Sequence, residues 1–338
     1  MTNAVNIAQS GSNNVTFRNR IINGAMMIDQ RNNGSAVTVN STSIFRSVDR
    51  WWGSATGSAG VYTMQQSTSS PPAGFTNFLR MTVTTADASI AAGDTYYIGS
   101  TIEGLNVYDF GFGAAGASTI TVSFQVRSSV TGTFSGSLLN GAENYSYPFT
   151  FAISSANTWE SKSVTISGPT AGTWATNNTA GMVLAFDLGN GSNWRAAAGA
   201  WVAAGEYGAT GAVTLISTLN ATFDITGVQL ERGSAASPFE QRLYGTEFAL
   251  CQRYYWSGVS AMYGYYAFGG NVPEGSYVAF PVTMRASPTV AFGANLSASL
   301  TNADLTTYIT ANGFFYYANV TATGTAGRQT VTTATAEL

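Results

Sequence analysis

The chain has 338 residues, enough for two domains that each bury a core, and 45% of them are hydrophobic. Only 9% are charged, against about a quarter in an average soluble domain, and Lys162 is the single lysine in a net charge of −3. That balance offers no basic stripe for phosphates, no apolar run long enough to span a bilayer occurs, and the lone Cys251 excludes an intramolecular disulfide scaffold.

Small and aromatic residues take the place of charge: Gly, Ala, Ser, Thr and Asn, with 17 Tyr and 19 Phe. Aromatic and β-branched residues suit a pleated surface, and Gly, Asn and Ser make tight turns, so the composition points to an all-β chain. Residues 1–17 are polar and small and read as an N-terminal arm, either unordered or laid against a partner. They lack the basic start and continuous apolar core of a secretion signal, so the chain is expected to be made and to stay in a cytoplasm, or to leave by another route. Next, FRNRIINGAMMIDQRNNG is an apolar segment closed by an Asn-Asn-Gly turn, and VDRWW opens a strand-like run.

Strands are then expected at 60–66, 78–84, 96–103, 119–127, 147–153, 161–166, 182–188 and 222–230, with turn residues between them. Without intervening helical segments, such spacing predicts a two-sheet jelly roll over 18–243. Residues 189–212, rich in Gly and Ala, are expected to form a long surface loop with room for a short helix at 195–201. From 224 to 256 the pattern changes. Ile225, Val228 and Leu230 mark a half-buried strand, and 233–238 is turn-rich. Thr246 is placed to cap a helix in which Phe248, Cys251 and Tyr255 fall at i, i+3 and i+7, with Leu250 and Tyr254 beside them. Residues 244–256 therefore read as a connecting helix, with Phe248, Cys251, Tyr254 and Tyr255 at an inter-domain joint. Beyond it, 257–338 is β again, with strands expected at 262–268, 277–282, 289–292, 313–320 and 329–336, as a smaller C-terminal β-sandwich.

The chemistry of catalysis is hard to find. No histidine occurs, which removes the commonest general base and metal ligand. Cys251 on an apolar helix face reads as a small core residue. The run from Asp187 to Asn193 is the nearest approach to a calcium loop, but it lacks the EF-hand spacing and reads as a turn. Glycoside hydrolysis needs two carboxylates, and Glu103, Asp109, Glu143, Glu160, Asp187 and Glu206 are present, but no spacing pairs any two of them. The expectation is a non-enzymatic protein without metal or cofactor. Sugar rings stack on exposed aromatic side chains, and Trp174, Trp194 and Trp201 lie in Gly/Ala/Asn-rich connections. They are candidate glycan contacts, the plainer alternative being that they cover the core or an oligomer interface. Without histidine, binding is expected to be nearly flat between about pH 5.5 and 8.

The stretch ITGVQLERGSAASPFEQR followed by EFALCQRYY resembles a segment of tailed-bacteriophage and prophage virion proteins, both tail-fibre-like and head-decorating. NRIINGAMMIDQRNNG and VDRWWG resemble the way such proteins open, and VAFPVTMRASPTV with the final TATAEL resembles their small C-terminal β domain. The resemblance implies a jelly roll similar to carbohydrate-binding modules, a homotrimer on the virion surface, and assembly in the host cytoplasm. It carries over no catalytic residues. The leading expectation is thus a fibre or spike on tail or head that docks through its N-terminal arm to other virion proteins and contacts host-surface polysaccharide. The alternatives are a capsid cement protein that binds no sugar and a polysaccharide-degrading spike.

Overall fold

The structure is a computed structural model that describes residues 17–40, 44–57, 59–266, 272–298, 303–320 and 324–338; for 262–266, 272–274, 294–298, 303–307, 317–320 and 324–328 only the backbone is described. The expected N-terminal arm, apart from Phe17, lies outside the described residues.

The first part of the chain forms strands β1 (Val37–Val39), β2 (Phe45–Arg46), β3 (Trp52–Ala55), β4 (Val61–Ser67), β5 (Phe78–Thr85), β6 (Tyr96–Glu103) and β7 (Ile120–Ser128). It continues with β8 (Gly132–Asn140), β9 (Ser146–Ile153), β10 (Glu160–Ile166), β11 (Ala180–Asp187), β12 (Arg195–Ala196), β13 (Gly208–Ala209) and β14 (Thr222–Arg232). Two six-stranded sheets result, ordered β1-β4-β5-β14-β7-β10 and β2-β3-β6-β11-β8-β9, with antiparallel pairing throughout. The chain crosses repeatedly between them, which makes this part a jelly-roll β-sandwich.

Alternation explains the layering. In β7, Ile120, Val122, Phe124 and Val126 point into the core while the residues between them face outward. β14 arrives last yet lies centrally, between β5 and β7, with Phe223, Ile225, Val228 and Leu230 fully buried. β6 and β11 are buried on both faces, because the 189–212 segment and the joint cover the outside of their sheet. No helix forms at 195–201. Arg195–Ala196 instead pairs parallel with Gly208–Ala209, and Gly199 takes a left-handed φ of 92° that breaks any helical run.

The α-helix α1 (Tyr244–Gln252) follows, then β15 (Tyr255–Tyr266), β16 (Val272–Ala279), β17 (Thr289–Ala298), β18 (Ala303–Thr310), β19 (Gly313–Val320) and β20 (Gly324–Thr335). These strands make two three-stranded sheets, β15-β20-β17 and β16-β19-β18, around Phe280, Met284, Phe314 and Tyr316. Among the described residues the chain is all-β apart from one connecting α-helix and short 3-10 turns, and no described helix is long and apolar enough to cross a membrane.

The helix starts at Tyr244, ahead of the cap position expected at Thr246, and ends before the expected 256. Leu243, in extended backbone, holds the N-cap position with no side-chain cap, so Thr246 lies inside the first turn. Tyr255 belongs to β15, since its backbone pairs with Thr335. In the first turn the Thr246 and Glu247 N–H groups donate to Leu243 O, and the Glu247 carboxylate accepts from the Asn23 N–H and the Arg242 guanidinium, tying that turn to the start of the sandwich.

Candidate functional site

Four connections and one strand bring five aromatic rings to one end of the sandwich. Val202 exchanges both backbone hydrogen bonds with Ser146 (2.8 and 3.0 Å), which pins the 189–212 segment along β9 and lays Trp201 against it. The Trp201 ring then stacks on Tyr145 (5.7 Å, 12°) and meets Tyr147 (5.3 Å), Trp174 (5.5 Å) and Phe112 (6.0 Å) edge-on. Trp174 also meets Phe112 edge-on at 4.9 Å. Phe112, Tyr147, Trp174 and Trp201 pack on the main core, so the cluster plugs the sandwich end while every ring stays half-exposed.

Backbone geometry permits this closeness. Gly172 has φ of 86°, and a Cβ there would sit 3.0 Å from the Tyr145 ring and 3.1 Å from Trp174 Nε1. The indole N–H groups are already used: Trp201 donates to Ser167 O (2.7 Å) and Trp174 to Ala171 O (3.1 Å). What remains for a ligand is ring surface, and beside it a shallow depression of about 270 Å³ lined by Gly141, Ala142, Thr173, Ala175, Thr179 and Ala180. Such a surface suits the apolar face of a ring-shaped polar molecule.

Trp194 lies apart from this pair. Its indole donates to Gly93 O (2.9 Å), and its ring tilts on Tyr207 (5.6 Å), which stacks on Tyr97 (4.2 Å), which meets Trp52 edge-on (5.5 Å). This column covers the outside of the second sheet with the protein's own chain. The Tyr207 phenol donates to Glu143 (2.5 Å), and burial pushes its pKa far up and that of Tyr97 to about 12. Trp194 is half-exposed like Trp174 and Trp201 but lies over the second sheet, away from them.

The carboxylates noted in the sequence are mostly engaged. Asp187 accepts from the Gly189 and Asn190 N–H groups (both 2.8 Å), from Ser135 (2.9 Å) and from Arg195 (2.8 Å), so its carboxylate is taken up in a turn. Glu103 binds Arg253 and Tyr254, Asp109 binds Arg20, and Glu160 binds Lys162. Glu206 stands out: burial raises its carboxyl above the ordinary range, and its buried Oε2 has no hydrogen-bond partner among the described residues. Among the described residues no group of three or more metal-ligating side chains occurs.

The joint residues are structural. Cys251 and Tyr254 are buried with Ile22 and Ile28, and Phe248 packs on the same cluster. Burial pushes the Cys251 thiol well up, away from the reactive thiolate. Tyr254 donates to Glu103 (2.7 Å) and carries the Arg50 guanidinium on its ring at 3.6 Å; Tyr255 carries Arg31 likewise at 3.6 Å. Phe112, Tyr145 and Tyr147 belong to the aromatic cluster, and sequence reasoning missed them. The spacing of Tyr145 and Tyr147, two apart and so on one face of an extended chain, is the one signal that could have linked them.

No family model matches the chain, and no curated protein matches it in sequence. Among solved structures, it is similar to the enzymatically active domain of bacteriophage CBA120 tailspike protein 4, at 11% identity and a TM-score of 0.33 over 64% of this chain and 22% of that one. It is also similar to TmCBM61 in complex with β-1,4-galactotriose, at 7% identity and a TM-score of 0.30 over 64% of this chain and 99% of that one. A third similar structure is the family 11 carbohydrate-binding module from Clostridium thermocellum in complex with a β-1,3-1,4-mixed-linked tetrasaccharide, at 9% identity and a TM-score of 0.29 over 60% and 97%. Likeness this distant carries no argument about function.

Proposed function

We propose that this chain is a non-enzymatic structural protein of a virion surface, a homotrimeric fibre or spike that binds host-surface glycan. The observation that supports glycan binding is the cluster of Phe112, Tyr145, Tyr147, Trp174 and Trp201, half-exposed beside a shallow depression. The virion setting rests on the resemblance carried by ITGVQLERGSAASPFEQR and EFALCQRYY. The engagement of Glu103, Asp109, Glu143, Glu160 and Asp187 by donors supports a non-enzymatic reading, since a glycosidase needs two carboxyl groups acting on one bond and of the six only Glu206 has a buried oxygen left unengaged among the described residues.

The test is a glycan array and a host-cell adsorption assay with the intact chain. Trp174→Ala is the cleaner variant, because Trp201 is packed by four rings and its loss would also disturb the fold. Trp174→Ala is expected to weaken binding by about 1–3 kcal/mol, the range for losing one aromatic stacking partner. Unchanged binding would move the cluster to a purely structural role, and release of oligosaccharide from host polysaccharide would replace the adhesin with an enzyme.

A further inference from the structure

On the first sheet, over β7 and β10, lies a groove of about 320 Å³ with a polar floor and an aromatic rim. The floor is made by cross-strand neighbours: Ser123 faces Ser163, and Gln125 faces Ser161, all with side chains outside the sandwich. Successive pairs on one face lie about 6.8 Å apart, within the reach of a single sugar ring. The Gln125 amide donates to Ser161 Oγ (3.2 Å), while the Ser123 and Ser163 hydroxyls are engaged by no other described residue.

The rim is Phe75 and Phe239, edge to face at 5.2 Å and both half-exposed. Its shape depends on a bulge in β14, where the pairing with β7 shifts between Thr226 and Gln229. Gly227 there has φ of 60°, and a Cβ would lie 2.5 Å from the Phe75 ring, so only glycine lets that ring settle over the strand. The wall formed by 233–240 is tied down along its length. Thr121 donates to Gly233 O (2.9 Å), Thr165 to Ser234 O (3.2 Å), Ser237 to Glu231 (2.6 Å), and Arg18 to Pro238 O (2.9 Å). Glu240 closes the end by accepting from the Arg18 and Asn19 N–H groups. The groove is therefore preformed, as ligand sites usually are, at the lower end of their range of about 300–1,000 Å³.

We propose that this groove binds a neutral saccharide of one or two rings, independently of the aromatic cluster at the sandwich end. Hydroxyl and amide groups that both donate and accept match sugar hydroxyls, and the phenylalanine rim matches the C–H face of a pyranose. Charge selects the class: the only lining cation, Lys162, is held by Glu160 at 2.6 Å, so nothing is free to neutralise a phosphate or carboxylate.

The inference shares the glycan-binding reading but stands on different residues, so calorimetry on the intact chain separates the two. The probes are lactose, cellobiose and methyl α-mannopyranoside, with glucose 6-phosphate as the charged control. At least one neutral probe is expected to saturate both the unchanged chain and Trp174→Ala. Gln125→Leu and Phe239→Ala, surface changes that leave the core intact, should each raise its Kd tenfold or more, and the phosphate should not bind. Three outcomes overturn the groove: no neutral probe saturating, binding retained by both groove variants, or binding lost in Trp174→Ala alone. The last of these would support the aromatic cluster. Loss in the groove variants with an unaffected Trp174→Ala array profile would reject the cluster and keep the groove.

Discussion

Asp49 and Glu337, both buried at the joint, are shifted in opposite directions. Desolvation raises the Asp49 carboxyl from its ordinary 3.8 to about 6, against the hydrogen bonds it accepts from Gln30. Burial would raise Glu337 too, but the charges of Arg50, Arg46 and Arg31 outweigh it and hold that carboxyl below its ordinary value. Because Asp49 holds its proton more tightly folded than unfolded, its contribution is fully present below about pH 4 and is lost as pH rises to about 6. That span is worth about 3 kcal/mol. Glu337 contributes in the other sense, adding stability above its ordinary value that is lost as pH falls through its folded one. Denaturant unfolding of Asp49→Asn at pH 4, 5, 6 and 7 should therefore lack the decline between pH 4 and 6 that Asp49 imposes on the unchanged chain.

Among the elements, β8 shows where local pattern fails. Its sequence, GTFSGSLLN, has the composition of a turn, and no strand is expected there from sequence. In the fold, Gly136 faces β11 and β9, and a Cβ would lie 2.5 Å from Ala185 O and 2.7 Å from the Phe149 ring. The small residues leave room for that ring. Gly136→Ala is expected to destabilise the chain by about 1–3 kcal/mol through overpacking, read as a lower denaturation midpoint at unchanged slope. β6, β7, β9, β10 and β14, by contrast, were legible to within one or two residues, because turn residues bound their apolar runs. α1 was legible as a helix but not at its end: apolar spacing ran through Tyr255, and only strand pairing shows that the chain has already turned into β15.

On the scale of the whole molecule, the two sandwiches are joined by a buried ionic lock. Glu337, at the far end of the chain, receives Arg31 (2.8 Å) and Arg50 from the first sandwich, while Arg285 donates to Asn178 O (2.7 Å) and Glu337 O (3.0 Å). Arg253 grips Glu103 through both ends of its guanidinium (2.7 and 3.1 Å). Glu337→Gln leaves buried arginines without their counter-charge and is expected to cost about 3–5 kcal/mol. Calorimetry should show one unfolding transition in the unchanged chain and two in this variant, as the C-terminal sandwich loses its hold on the first.

By itself the sequence determined the all-β class, and it led to the expectation of a two-part layout with a joint at 244–256. Those follow from composition, from period-two alternation and from one stretch where the pattern changes, all of which are local. It also singled out Trp174, Trp194 and Trp201, since large aromatics in small-residue connections are conspicuous along the chain. Only the tertiary structure decided that Trp174 and Trp201 meet while Trp194 covers a sheet, and that Phe112, Tyr145 and Tyr147 join the pair. The same holds for the Ser123–Gln125–Ser161–Ser163 floor, whose loop wall belongs to the stretch that reads as a mere joint. Residues separated by tens of positions become neighbours through strand register and a single Val202–Ser146 bridge, and a sequence carries no mark of register until the sheets that impose it are built.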